Sequence, residues 1–358
     1  MRVNGRVVES PALLWSKKAA PAMRERCNHT EHQRVANAPS AGGYMDPKKT
    51  KLLVTVARLH YEHGFSQEQI AKRLDLSRPY ISKLLNEAKE EGIVTVRVND
   101  PGSVQTALEE RVCARFGLSK AIVVPSIEGE EAEFGVGHAA AGYIESLVEN
   151  GSVIGIAWGK TMRILSRLLQ RQSELRDVIV LQLCGGSCNL KHDTYATEIL
   201  LNFAKAFAAT PLMLPLPAVM ENKLIKSIVY QDGSIKQVLE YGTKLDIAVF
   251  TVGAFGPHSA LLRSGFLSME EMDRLHALGA VGDVSSHIIN GEGAICDEEL
   301  EERTIAIPFE HIQSARERIC VAVGSHKAEC IAAALKQGRM NTLITDEKTI
   351  HEVFDIAG

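Results

Sequence analysis

The residues best suited to chemistry fall into two sets, far apart in the sequence. In the first, Ser77 and Pro79 open a helix that carries Arg78, Tyr80, Ser82 and Lys83 near its start. Guanidinium, ammonium, phenol and hydroxyl groups on the outer face of a short helix can meet base edges and phosphates in a DNA major groove. Arg78 and Lys83 reach guanine or phosphate, and Ser82 a base edge or phosphate. Gln67, at the start of the preceding helix, can meet a backbone phosphate. The second set is spread over the body of the chain. Trp158-Gly159-Lys160-Thr161 ends a strand and opens a helix, which makes an anion site. Glycine lets the backbone approach closely, the helix start offers free N–H groups, and Thr161 adds a hydroxyl. Lys160 adds charge there or is simply solvated. Cys184-Gly185-Gly186 ends another strand, where ligands collect in open α/β sheets, and Gly253 follows a third strand and can line the same crevice. Asp283, between Gly282 and Val284, either accepts hydrogen bonds from ligand hydroxyls or caps a turn. Cys184 and Cys188 could form a metal or redox pair, but no His/Cys set at zinc spacing accompanies them, and neither metal nor cofactor is expected.

Elements that would position the first set are legible by period. Apolar residues Leu52, Leu53, Val56, Leu59 and Tyr61 recur at helical spacing from Lys48 to His63, and Gly64 stops that helix. A second helix starts at Ser66 and closes at Leu74-Asp75-Leu76. A third, capped by Ser77 with Pro79 in its first turn, runs to about Glu91. Ala71 allows close helix approach, and Ile70, Leu74, Leu76, Ile81, Leu84 and Leu85 supply a shared core. Ile93–Val98 alternates like a strand and reads as a wing. Residues 103–117 form a linker helix with Leu108, Val112 and Phe116 on one face, a candidate oligomer contact.

The second set needs a sheet. Strands are expected at Ala121–Val124, Ser152–Ala157, Val178–Leu183, Ile247–Val252, Ile319–Val323 and Thr342–Thr345. Helices intervene at Glu131–Val148, Thr161–Gln170 and Thr194–Ala208. Such alternation predicts a mostly parallel sheet covered on both faces.

Composition agrees with two folded parts and a tail. The 358 residues are 45% apolar, enough for a real core, with no run near the ~20 needed to span a bilayer. The N-terminus lacks the long apolar stretch of a signal peptide. The seven cysteines show no even ladder, which fits a reduced cytoplasm and makes the expected location cytoplasmic. Charge is segregated. Residues 1–44 hold 7 Lys/Arg against 3 Asp/Glu, residues 45–98 hold 10 against 7, and residues 99–358 hold 23 against 34. A basic start on an acidic body is the pattern of a DNA-binding module joined to a separate domain. Residues 1–44 have no apolar period and read as a disordered tail, with Met45 an alternative start.

The stretch Leu59–Val98, through Tyr61, Gly64, Ser66-Gln67, Ile70-Ala71, Leu74, Ser77-Arg78, Ser82, Leu84-Leu85 and Glu91-Gly92-Ile93-Val94, resembles the N-terminal domain of the SorC family of sugar-responsive bacterial regulators. Similar to that family are also Ile154–Thr161, Gly185-Gly186, Gly279–Asp283, Lys327, Ala332–Leu335 and Asn341–Glu347. The resemblance implies a winged helix-turn-helix joined to a Rossmann-like, mostly parallel α/β effector domain. It implies operator DNA and a sugar, polyol or sugar phosphate as partners, and a homodimer or homotetramer that is neither membrane-bound nor an enzyme. It assigns Asp283 to sugar hydroxyls and Lys327 to a phosphate. Expected boundaries are 1–44 for the tail, 45–100 for the DNA-binding domain, 101–118 for the linker helix and 119–358 for the effector domain. One departure matters. Where some members place Arg or Lys before the paired glycines, this chain has Cys184, a neutral thiol that forms no Schiff base. The ligand is then an unphosphorylated polyol, or a phosphate held by Lys160, Thr161 and Lys327 alone. A phosphosugar-metabolising enzyme with an accessory N-terminal domain is the alternative, although no general base is paired with a nucleophile.

Overall fold

Two serines fix where the N-terminal helices begin. The computed structural model describes residues 47–91, 93–94, 104–126, 130–186, 193–256 and 259–358, and the chain divides into two compact units between Val94 and Thr95. In the first unit, α1 (Pro47–Tyr61), α2 (Gln67–Leu74) and α3 (Arg78–Glu90) follow one another through short turns. Ser66 caps α2 reciprocally: its Oγ accepts from the Gln69 N–H at 3.3 Å, and Gln69 Oε1 accepts from the Ser66 N–H at 2.8 Å. Ser77 Oγ accepts from the Tyr80 N–H at 3.3 Å, and Pro79 sits in the first turn of α3, where a missing N–H costs nothing. Asp75 takes the left-handed conformation, φ 54°, that turns the chain between α2 and α3. The helices close over Leu53, Val56, Ile70, Ala71, Ile81 and Leu84. Leu74 and Leu76 are half-buried at the edge of this core. The expected tail and residues 95–98 of the expected wing lie outside the described residues. Ile93 and Val94 pack on the helical core without forming a strand.

The second unit opens with α4 (Val104–Phe116), the helix expected over 103–117. Its Leu108 and Val112 are buried in this unit's core, and Phe116 stacks on Phe354 at 5.6 Å. Glu109 accepts from the Val123 N–H at 2.9 Å, so the helix is packed along the first strand. That strand, β1 (Lys120–Val124), joins β2 (Val153–Ile156), β3 (Ile179–Gln182), β4 (Thr210–Leu212), β5 (Ile247–Phe250), β9 (Glu317–Val321) and β10 (Thr342–Asp346) in one parallel sheet of order β1-β10-β9-β5-β2-β3-β4. Every residue of β2, β5 and β10 is buried, so both faces are covered, as a parallel sheet requires. The α/β architecture expected from the alternation is present. From β2 the chain runs outward through β3 and β4, then returns to β5 on the other side of β2 and continues toward β9 and β10. The strand order therefore reverses between β2 and β5.

A second, antiparallel sheet of β6 (Val252–Ala254), β7 (Ala280–Val284) and β8 (His287–Asn290) was not evident in the sequence. The single strand expected over Ile247–Val252 breaks at Thr251, and Val252 already belongs to this sheet. The reason is the pairing of Gly253 with Asp283: a Cβ on Gly253 would fall on the Asp283 carboxylate, so only glycine fits there.

Because the two units have separate cores, Leu84→Ala removes about 2–5 kcal/mol from the first unit alone. Scanning calorimetry is expected to show one transition lowered and the other unmoved; a shift of both would contradict independent units.

Candidate functional site

At the carboxyl ends of β2 and β5, where the strand order reverses, lies a cavity of about 200 Å³. Open α/β sheets bind ligands at such a point. Beyond β2 the chain passes through Ala157 and Trp158 to Gly159, whose φ of 131° only glycine adopts readily, and enters α6 (Lys160–Leu168). No side chain caps α6, so the N–H groups of its first turn face the cavity end of the helix.

Seven of the expected residues come together here: Gly159, Lys160, Thr161, Cys184, Gly253, Asp283 and Lys327 all line the cavity. Gly185 and Gly186 do not. A Cβ on Gly185 would fall on the Leu216 and Pro217 carbonyls, and one on Gly186 on the Trp158 ring, so both are glycines of close packing. They hold the wall in place: Trp158 Nε1 donates to the Gly185 carbonyl at 2.9 Å.

The two lysines differ. Lys160 reaches back to α5 (Glu130–Glu145), pairs with Glu133 at 2.8 Å and keeps 60% of its side chain exposed. Lys327, in a single 3₁₀ turn before the helix Ala328–Lys336, points inward. Its Nζ donates to Thr251 Oγ1 at 3.1 Å and to Thr161 Oγ1 at 3.4 Å. Burial pulls Lys327 below the ordinary lysine value, against the opposing effect of Cys320, Glu133 and Asp283. Burial likewise pushes the Cys184 thiol up to about 12, so it stays neutral. Asp283 is raised from 3.8 to about 6 by burial, against a hydrogen bond from the Ser286 N–H at 3.1 Å and the charges of Lys327 and His287. Asp283 thus both caps a turn and faces the cavity.

Ser285 and Ser286, which the sequence reading missed, form that turn. Val284 pairs with His287, leaving a two-residue hairpin loop with φ 52° and 72° at the two serines. A tight hairpin wants two such left-handed residues, usually Asn or Gly. Two serines carry no such signature; their position directly after Gly282-Asp283 is the one available hint. Both hydroxyls are buried in the cavity wall without an oxygen or nitrogen partner among the described residues, that of Ser286 facing the Cys184 thiol. Unsatisfied buried hydroxyls cost about 1–3 kcal/mol each. Arg263 and His326, also missed, are exposed residues of the same lining. Among the described residues no cluster of three or more His, Cys, Asp or Glu could hold a metal; Cys188 lies outside them.

In the first unit, Ser77, Arg78, Tyr80 and Lys83 are exposed at the start of α3, with Gln67 and Ser82 half-buried. The Ser77 oxygen is taken by the Tyr80 N–H, but its proton remains free to donate.

Residues 101–355 match the family described as "Putative sugar-binding domain", and residues 57–90 match the helix-turn-helix family. The chain is 37% identical to the deoxyribonucleoside regulator of Bacillus subtilis (strain 168), covering 85% of this chain and 97% of that one. It is 31% identical to the sorbitol operon regulator of Klebsiella pneumoniae, covering 84% and 96%. The crystal structure of that full-length regulator, SorC, superposes with a TM-score of 0.72 at 30% identity, covering 86% of this chain and 99% of that one. Fold, site and relatives define a helix-turn-helix transcriptional regulator with a sugar-binding type of domain. The chain belongs to the SorC family. These relatives are regulators and not enzymes, which disfavours the phosphosugar-metabolising alternative.

A carboxylate whose folded value lies above its ordinary one adds stability when protonated, below about 3.8, and loses that contribution as pH rises through about 6. Asp283→Asn, which keeps an oxygen for the Ser286 N–H, is therefore expected to stabilise the ligand-free protein at neutral pH by about 1–3 kcal/mol. Urea unfolding should show that gain shrinking as pH falls below about 6; a gain independent of pH would mean the carboxylate is not held in this way.

Proposed function

We propose that α3 reads operator DNA through Ser77, Arg78, Tyr80, Ser82 and Lys83, with Gln67 on a phosphate, and that a small polyhydroxylated effector seated in the Asp283–Lys327 cavity changes that binding. The protein acts in the cytoplasm as a homodimer or homotetramer on a two-fold operator, because two half-sites one helical turn apart need two recognition helices. No helix among the described residues is long and apolar enough to cross a membrane.

The observation that carries the effector reading is the buried polar wall. Asp283 is ionised at a cost to stability, next to two hydroxyls without an oxygen or nitrogen partner and one inward lysine. A folded core keeps such groups where they serve binding. Vicinal hydroxyls of a sugar, polyol or sugar phosphate would donate to Asp283 and satisfy Ser285 and Ser286. With Cys184 neutral and Lys160 drawn to Glu133, Lys327, Arg263 and the start of α6 supply the charge available for a phosphate.

Thermal-shift screening with sorbitol, erythritol, ribose and ribose 5-phosphate, followed by gel shift on the upstream DNA of its own operon, tests both halves. At least one polyhydroxylated compound is expected to raise the melting point of the second unit and change operator affinity. Isomerase turnover without DNA binding would overturn the reading. Arg78→Ala is expected to weaken operator binding by about 1–3 kcal/mol, ten- to a hundredfold, and to leave the sugar-induced melting shift unchanged. Operator binding unaffected by Arg78→Ala would remove that residue from the interface.

A further inference from the structure

Three buried side-chain oxygens that lack a hydrogen-bond partner among the described residues belong to residues lining the one cavity. Two are the hydroxyls of Ser285 and Ser286. The third is Oε2 of Glu133, in the first turn of α5. Helix packing puts it there. Gly137, one turn further along α5, lies so close to α6 that a Cβ would stand 3.0 Å from the Ile164 side chain. The first turns of α5 and α6 are therefore side by side, and Lys160 Nζ stands 2.8 Å from Glu133 Oε2. That contact pairs the two charges without an aligned hydrogen bond. The Glu133 side chain is 24% exposed, against 60% for Lys160, and Oε2 itself is shielded from water.

We propose that Glu133 determines the specificity of this cavity: its buried oxygen accepts a ligand hydroxyl, and its charge makes the effector an uncharged polyol or sugar in preference to the corresponding phosphate. The proposal rests on the effector reading and narrows its ligand. An ionised carboxylate accepts hydrogen bonds and donates none, so an oxygen left without a donor suits a ligand O–H and repels a phosphate oxygen. The cavity then offers carboxylate acceptors from two elements, Asp283 on β7 and Glu133 on α5. The balance of charge agrees. Lys327 is the inward cation; burial lowers it, and Glu133 opposes that ahead of Asp283, so both carboxylates act on the same ammonium. Lys160 and Arg263 stand in water, where screening weakens their pull. A phosphate brings roughly −1.5 to −2 charges at pH 7. It would meet two carboxylates for one enclosed ammonium, and the start of α6 adds only about half a positive charge. A hydroxyl brings no charge and fills the open acceptor.

Calorimetric titration of the full chain with matched pairs tests this: sorbitol against sorbitol 6-phosphate, erythritol against erythritol 4-phosphate, and ribose against ribose 5-phosphate. In every pair that binds, the wild type is expected to favour the uncharged member. Glu133→Gln keeps the shape of the side chain and removes its charge. It is expected to weaken the uncharged member about three- to tenfold and to tighten the phosphorylated member about tenfold. A damaged pocket would weaken both. Glu131→Gln makes the same change of charge on an exposed residue that does not line the cavity, and is expected to leave the ratio within about twofold. A phosphorylated member that binds tighter to the wild type overturns the proposal. So does a ratio unchanged in Glu133→Gln, or one shifted equally in Glu131→Gln. If Glu133→Gln fails to melt cooperatively, the ranking within each pair on the wild type decides. Binding by no pair counts against the effector reading, and inorganic phosphate then judges Glu133 alone. A melting point raised more by phosphate in Glu133→Gln than in the wild type supports the proposal; an equal response, or none in either, overturns it.

Discussion

A parallel sheet whose strand order reverses must leave a crevice where neighbouring connections depart to opposite sides. In this chain that point lies between β2 and β5, and the rest of the second unit is arranged around it. Trp158-Gly159 leaves β2 there and the start of α6 follows at once. Beyond β5, Thr251 carries the chain out of the main sheet and into the three-stranded one, which brings Gly253 beside Asp283 and hangs the serine turn over the same crevice. Lys327 arrives from the loop after β9, the next strand outward, and finds Thr251 and Thr161 as its partners. Residues spread over 170 positions of sequence thus meet within one cavity because the topology brings several strand ends there.

The contents of that cavity run against folding stability. A carboxylate raised by burial, a lysine lowered by burial, two hydroxyls lacking oxygen or nitrogen partners and a two-residue loop in left-handed backbone all cost free energy in the absence of a ligand. The surrounding core is large and almost wholly apolar, and it absorbs them. The first unit shows a different economy: the capping box at Ser66 and Pro79 in the first turn of α3 stabilise the helices and leave exposed polar groups at the start of α3.

Local rules made the helix-turn-helix legible, because caps, periodicity and the small Ala71 all act within a few residues. Six of the seven parallel strands were legible for a similar reason, since strands buried on both faces read as short apolar runs between helices; the edge strand β4, three residues long and largely exposed, was not. The glycines were legible as glycines but not in their roles. Gly159 and Gly253 serve the cavity, whereas Gly185 and Gly186 serve the packing behind it, and that distinction depends on which distant backbone lies opposite. Lys160 and Lys327 looked equivalent as charges; only the position of Glu133 on α5 draws one outward while the two threonines keep the other inside. The β6–β8 sheet escaped because its strands are short and its turn uses serines in place of Asn-Gly. For the same reason Ser285, Ser286 and His287 were missed, although they flank the one aspartate that sequence reasoning selected.

The central claim is that a sugar-type effector is read at Asp283 and the reading is delivered to the DNA-binding helices. Its most direct test is operator affinity of the wild-type chain and of Asp283→Asn, measured side by side with and without the compound that shifts the wild type. The account predicts equal affinity for the two proteins without the compound, and a response that is large in the wild type and at least tenfold weaker in its concentration dependence in Asp283→Asn. An identical response in both would contradict it.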